Sequence, residues 1–259
     1  MYALVTGASQ GIGLEYARRL ASFYKYDLLL VSNQEKELAQ VAGELGKEHG
    51  VKAVPLYMDL TDSDAAGRLF AYCTSNSIEV EVLINNAGVF FYNDLTETAE
   101  RRIDLMLDLH VRTLTKMCRI FGADMKKRGH GYILNMSSMS AWMALPGIST
   151  YNATKSYILN LSRSLWYELH PYGVSVTAVC PGAVDTGLYG LSPNLRKLAV
   201  AIKVSIPPAD LVRIALKKMF KGKKQIMPGA VNHIFLPLIK HLPDFVVFKA
   251  AAKISKFQK

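Results

Sequence analysis

Residues 2–13 read YALVTGASQGIG. A short run of apolar and β-branched residues leads straight into a turn with glycine at positions 7, 11 and 13, and a helical pattern follows from about residue 12 to residue 23. Glycines at such a turn let the backbone approach a phosphate closely, and the helix N-terminus behind them supplies partial positive charge. The spacing G-x-x-x-G-x-G differs from the dinucleotide fingerprint G-x-G-x-x-G, so position carries the reading. A glycine turn directly after the first strand favours a nucleotide site over a merely tight turn.

Beyond this turn, short β-branched or leucine-rich runs alternate with longer amphipathic ones. Strand patterns are YDLLLVS (26–32), VKAVPLYMD (51–59), VEVLINNAG (80–88), GYILNMSS (131–138), VSVTAVCPG (174–182) and KQIMPGA (224–230). Helical patterns lie between them at 34–50, 63–75, about 100–127, 152–170 and 208–220. Seven strands with helices between them predict an α/β fold, a Rossmann-like, doubly wound sheet of about seven parallel strands. No linker or repeat interrupts the rhythm, so residues 1–259 read as one domain. Two segments fall outside it: a long connection at about 184–207, where a lid is expected, and a tail at about 231–259.

Half of the 259 residues are apolar, enough for a substantial core. No apolar run reaches the roughly 18 residues of a membrane span, and no charged leader precedes the first strand, so a cytoplasmic location is expected. Cys73, Cys118 and Cys180 form no C-x-x-C pair and read as free thiols of a reducing compartment, and the histidines form no H-E-x-x-H, so no metal site is inferred. The charge is uneven. Residues 1–195 hold 17 Lys+Arg against 19 Asp+Glu, and residues 196–259 hold 14 against 2. The tail interleaves these lysines with apolar groups but is broken by Pro237 and Pro243. It reads as a surface that packs on a subunit or docks peripherally on a membrane or an anionic partner; no nucleic-acid partner is implied.

With Thr6 included, TGASQGIG resembles the phosphate-binding pattern T-G-x-x-x-G-x-G of the short-chain dehydrogenase/reductase family. Further family motifs follow in order: NNAG at 85–88, the serine pair Ser137 and Ser138, YNATK at 151–155 and PGAVDT at 181–186. Each is weak alone: NNAG is also an ordinary turn, a serine also caps loops, and a Tyr–Lys pair four apart also marks a mere helix face. The ordered set, over about residues 2–230, is specific. The resemblance implies a nicotinamide cofactor held by Gly7, Ser9, Gln10, Gly11 and Ile12 at the first turn and by Asn33 after the second strand. Asp59 and Leu60 after the third strand and Asn86, Ala87 and Gly88 after the fourth join them. Pro181, Gly182, Val184 and Thr186 follow the sixth, and Tyr151 and Lys155 serve both cofactor and catalysis.

The family's catalytic serine lies thirteen residues before its tyrosine, which selects Ser138, whose hydroxyl would hold a carbonyl oxygen. Tyr151 would exchange a proton with the alkoxide. Its free pKa is near 10, so the phenolate needs stabilisation, and Lys155 one turn along the helix offers an ammonium. Two positions depart from the family. His110 stands about where an asparagine is usual; that asparagine acts in a proton relay largely through its main-chain carbonyl, so His110 would keep the relay while changing its pH response. Ser32, Asn33 and Gln34 at the end of the second strand bring neither the carboxylate that selects NAD(H) nor an arginine for a 2′-phosphate, and the missing carboxylate favours NADP(H) over NAD(H).

These features lead us to expect an NAD(P)(H)-dependent oxidoreductase that moves hydride between nicotinamide and a carbonyl or alcohol. Ser138, Tyr151 and Lys155 are its expected catalytic residues, with His110 as a further candidate. The lid is apolar with a few positive charges, and the tail resembles that of relatives acting on long acyl chains or steroids. A bulky hydrophobic ketone such as a 3-oxoacyl thioester or a steroid is therefore the expected substrate, and a homodimer or homotetramer the expected assembly. Two readings from other classes remain open: a cofactor-binding redox sensor and a lipid-surface protein, both without turnover.

Overall fold

A computed structural model describes residues 1–185 and 205–229 together with residues 236, 243, 245 and 246. Most of the expected lid, Thr186 and nearly all of the tail lie outside the described residues.

Seven parallel strands form the sheet: β1 (Tyr2–Thr6), β2 (Asp27–Ser32), β3 (Ala53–Tyr57), β4 (Val80–Asn85), β5 (Gly131–Met136), β6 (Val174–Val179) and a short β9 (Gln225–Ile226). Their spatial order is β3-β2-β1-β4-β5-β6-β9. Each strand alternates its side chains between two apolar layers. Ala3 and Val5 of β1, Leu28 and Leu30 of β2 and Val82 and Ile84 of β4 face α1 (Gly11–Ser22), α2 (Glu35–His49) and α7 (Pro208–Met219). Leu4, Leu29, Val31 and Leu83 face the other way, onto α3 (Ala65–Ser75), α5 (Leu114–Arg128) and α6 (Ser149–Leu169). The chain reverses its winding between β1 and β4, which opens a crevice at the carboxyl ends of these two strands.

Two features differ from the sequence reading. The long helix expected over about 100–127 is α4 (Glu100–Leu107) and α5 joined by a π-helical turn at Asp108–Thr113. Wide turns of this kind change which side chains a helix turns inward, and this one buries His110 and Thr113. The connection at 184–207 is not loop from end to end, because its two ends pair as a parallel two-stranded sheet, β7 (Ala183–Val184) with β8 (Ser205–Ile206). Repeating hydrophobic patterns cannot reveal a two-residue strand. No described helix is long and apolar enough to cross a membrane. The three cysteines are free and buried, and burial pushes each thiol up to about 12.

Candidate active site

A cleft of about 560 Å³ lies along the carboxyl ends of the parallel strands. Gly7, Ser9, Gln10, Gly11 and Ile12 line it from the first turn, Asn33 from the loop after β2, and Asp59 and Leu60 from the loop after β3. Asn86, Ala87 and Gly88 follow β4, Ser138 follows β5, His110 comes from the π turn, Tyr151 and Lys155 from α6, and Pro181, Gly182 and Val184 follow β6. Gly7 and Val184, 177 positions apart in sequence, thus share one cavity. Thr186 alone of the expected site residues lies outside the described residues.

The glycine turn is shaped by contact rather than by flexibility. Gly7 has φ +65°, in the left-handed region. A Cβ on Gly13 would lie 2.0 Å from the Gly7 carbonyl oxygen, and one on Gly7 would lie 3.0 Å from the Ala87 Cα. The first turn of α1 has neither a side-chain cap nor an acidic residue. A cradle with no room for side chains, in front of an uncapped helix N-terminus, fits a pyrophosphate. Thr6 locks this turn to its neighbour across the crevice. Its hydroxyl donates to the Ile84 carbonyl at 3.2 Å and accepts from the Asn86 and Ala87 amides at 2.9 and 3.0 Å, while Asn86 Nδ2 donates to the Thr6 carbonyl at 3.0 Å.

At the end of β2, Ser9 Oγ lies 3.0 Å from Ser32 Oγ and donates to Gln34 Oε1 at 2.5 Å. Asn33 is exposed beside them. This corner of the cleft is neutral, and Asp59 turns its carboxylate onto the amide and hydroxyl of Thr61 at 2.9 and 2.8 Å.

At the other end of the cleft the serine pair divides its tasks. Ser137 Oγ donates to the Lys155 carbonyl at 2.8 Å and so fixes α6 against β5. Ser138 Oγ accepts from the Ser140 amide at 3.1 Å, which leaves its proton to donate into the cleft. Lys155, only 7% exposed, donates from Nζ to the Met136 carbonyl at 2.9 Å and stands over the Tyr151 ring, 5.3 Å from its centre. Burial lowers its pKa to about 8, so the buried amine carries its charge at neutral pH at a cost. The Tyr151 ring packs edge-on against Phe90 at 5.0 Å and His110 at 5.9 Å. Such an arrangement holds a hydroxyl donor, a phenol and an ammonium at one end of a nucleotide-shaped cleft.

His110 makes contacts through its side chain that sequence reasoning did not anticipate: Nε2 accepts from the Val89 amide at 3.1 Å and Nδ1 lies 3.0 Å from Thr154 Oγ1. Met58, Thr61, Val89, Leu105, Leu109 and Met136 also line the cleft and were not singled out. Met58, Thr61, Val89 and Met136 each adjoin a singled-out residue at a strand end, so strand ends were the available signal; Leu105 and Leu109 had none beyond helical spacing.

A family model described as short chain dehydrogenase matches residues 1–193. The chain belongs to the short-chain dehydrogenase/reductase family and is an oxidoreductase acting on CH–OH and C=O groups. It is 29% identical to a very-long-chain 3-oxoacyl-CoA reductase of Anas platyrhynchos over 98% of this chain and 80% of that protein. It is also 29% identical to a 17-beta-hydroxysteroid dehydrogenase type 3 of Danio rerio, over 95% of this chain and 78% of that protein. Among solved structures, a short-chain dehydrogenase from Sphingobium yanoikuyae in complex with NADPH superposes with a TM-score of 0.79 at 28% identity. The match covers 93% of this chain and 96% of that one.

Proposed function

We propose that this protein is a ketone reductase for bulky hydrophobic substrates, a 3-oxoacyl thioester or a steroid first among them, with NADP(H) favoured over NAD(H). The observation that carries the reading is the placement of Ser138, Tyr151 and Lys155 in the same cleft as the glycine turn. The names of the two similar proteins, one acting on 3-oxoacyl-CoA and one on hydroxysteroids, support the substrate class. The NADPH in the similar structure, together with a corner at Ser32, Asn33 and Gln34 that holds no carboxylate, supports the cofactor.

The glycine turn and the first turn of α1 would hold the pyrophosphate, Asn86 to Gly88 would pack under the adenine ribose, and Lys155 would reach the nicotinamide ribose. When bound, the reduced nicotinamide supplies the hydride received by the carbonyl carbon. Ser138 donates to the carbonyl oxygen and so stabilises the negative charge that develops there. Tyr151 Oη gives that oxygen its proton, and the Lys155 ammonium beside the ring stabilises the resulting phenolate. A cofactor sensor without turnover would need neither phenol nor ammonium in the cleft, so turnover is the better reading.

The test is consumption of NADPH and of NADH with a long-chain 3-oxoacyl thioester, a 17-ketosteroid and a small hydrophilic ketone. Turnover of either bulky ketone, faster than of the small one and faster with NADPH, is expected. Binding of NADPH without consumption on any ketone would return the protein to the sensor class.

A further inference from the structure

The loop after β4 and the catalytic helix both line the cleft, and their spacing decides where Tyr151 stands relative to a bound ring. Phe90 packs across that gap onto the Tyr151 ring, and His110 bridges it with hydrogen bonds at both ends. His110 is 1% exposed and touches the Val89 amide through Nε2 at 3.1 Å and Thr154 through Nδ1 at 3.0 Å. Thr154 Oγ1 in turn donates to the Tyr151 carbonyl at 2.9 Å. An amide N–H can only donate, so Nε2 must be the acceptor; Thr154 has given its one proton to Tyr151, so Nδ1 must carry the hydrogen. The chain of bonds runs in one direction, from Val89 through the imidazole and Thr154 to Tyr151, and it closes only with a neutral ring. The fit is tight, since a Cβ on Gly88 would lie 2.6 Å from Nε2.

We propose that His110 is a positioning residue, a neutral Nδ1–H strut that holds the Gly88–Val89 backbone at a fixed distance from the first turn of α6 and thereby sets Tyr151 against the nicotinamide end of the cleft. Its consequence for turnover rests on the reductase reading above; its consequence for the loop does not. A proton on Nε2 would face the Val89 N–H donor to donor, so the strut holds only while the ring is neutral. The surroundings do little to invite that proton. From α6 the ionisable groups facing the ring are Tyr151 and the cationic Lys155, and the loop after β4 offers only backbone. On the π turn itself Asp108 and Arg112 pair with each other, and across the cleft Asp59 is engaged by Thr61. Burial and the Lys155 charge hold the imidazole well below its ordinary range.

Asparagine reaches about as far as Nδ1 and glutamine about as far as Nε2, so the two substitutions separate the arms of the strut. His110→Gln should keep an acceptor for Val89 and cannot titrate. His110→Asn should keep only the Thr154 contact. NADPH affinity would be titrated by fluorescence from pH 5 to pH 8 for the parent and both variants, with kcat and KM on whichever ketone the parent reduces. The ring nitrogens of His110 would be assigned by ¹⁵N NMR on the parent protein.

The expected NMR result is the neutral Nδ1–H tautomer at pH 7. Expected in binding are a parent and a His110→Gln variant whose NADPH affinities keep a constant ratio from pH 8 to pH 5, because the ring stays neutral throughout, and a His110→Asn variant binding at least fivefold more weakly than His110→Gln at pH 7. An Nε2–H tautomer or an imidazolium at pH 7 would overturn the proposal. So would His110→Asn matching the parent within twofold in affinity and kcat across the range. Failure of the parent to reduce any ketone would count against the reductase reading alone, since the NMR and affinity arms need no turnover.

Discussion

The Lys155 ammonium lies 5.3 Å from the centre of the Tyr151 ring, held there by its 2.9 Å bond to the Met136 carbonyl and by the burial of both side chains. The charge that the proposed chemistry requires is therefore one that the fold without cofactor bears at a cost. The Lys155 pKa is lowered to about 8 from an ordinary value of 10.5. Below pH 8 the amine is charged in both folded and unfolded chains, and the cost is fully felt. As pH rises from 8 to 10.5 the folded chain sheds its proton first, and the cost is relieved.

Lys155→Met should consequently stabilise the cofactor-free protein at pH 7 by on the order of 1–3 kcal/mol, less whatever the Met136 bond contributes, while abolishing turnover and weakening NADPH binding. The gain should shrink at pH 10. Urea unfolding at the two pH values checks this; a variant less stable than the parent at pH 7 would mean that the buried charge is better solvated than its surroundings imply.

Asn33→Asp should reverse the proposed cofactor preference. The corner formed by Ser9, Ser32 and Gln34 is neutral, so a new carboxylate there would repel a 2′-phosphate and accept from a free 2′-hydroxyl. NADPH affinity is expected to fall roughly 10- to 100-fold, with NADH affinity unchanged or improved, in a fluorescence titration.

Gly13→Ala tests the cradle. The added methyl would sit 2.0 Å from the Gly7 carbonyl oxygen, closer than any real contact, so the glycine turn must move away from Asn86 and Ala87. Loss of at least tenfold in affinity for both reduced cofactors is expected, in contrast to the selective effect at Asn33. Cofactor titration of the two variants side by side distinguishes them.

Behind the cleft, Asn85 Nδ2 donates to Asn135 Oδ1 at 2.8 Å, and Asn135 Nδ2 donates to Ser162 Oγ at 2.9 Å, so β4, β5 and α6 are joined by a buried polar chain. Asn135→Ala leaves Asn85 Nδ2 only the weak Cys118 Sγ acceptor at 3.5 Å and should cost about 1–3 kcal/mol in chemical denaturation.

The sheet and its helices were legible because buried parallel strands and amphipathic helices write their periods into the sequence, and the glycine turn announces itself by composition. What the sequence hid lies below that periodicity. The π turn that buries His110 sits inside an unbroken helical pattern. The two-residue strands at Ala183–Val184 and Ser205–Ile206 are too short to repeat. Ser137 and Ser138 are adjacent and both line the cleft; the spacing to Tyr151 singles out Ser138, but only the fold reveals that Ser137 anchors the Lys155 backbone. His110 could be singled out as unusual, but its tie to Val89 is between residues 21 positions apart and leaves no local pattern.

The most direct test of the account is the single-turnover rate of Tyr151→Phe with saturating NADPH and a bulky ketone that the parent reduces. Removing one hydroxyl leaves the edge-on packing against Phe90 and His110 in place, so folding and cofactor affinity should stay close to those of the parent. The account predicts a rate lower by roughly 10²–10⁴-fold, the loss of a positioned general acid. A rate within a few-fold of the parent's would show that the proton comes from another group and would contradict the role given to Tyr151.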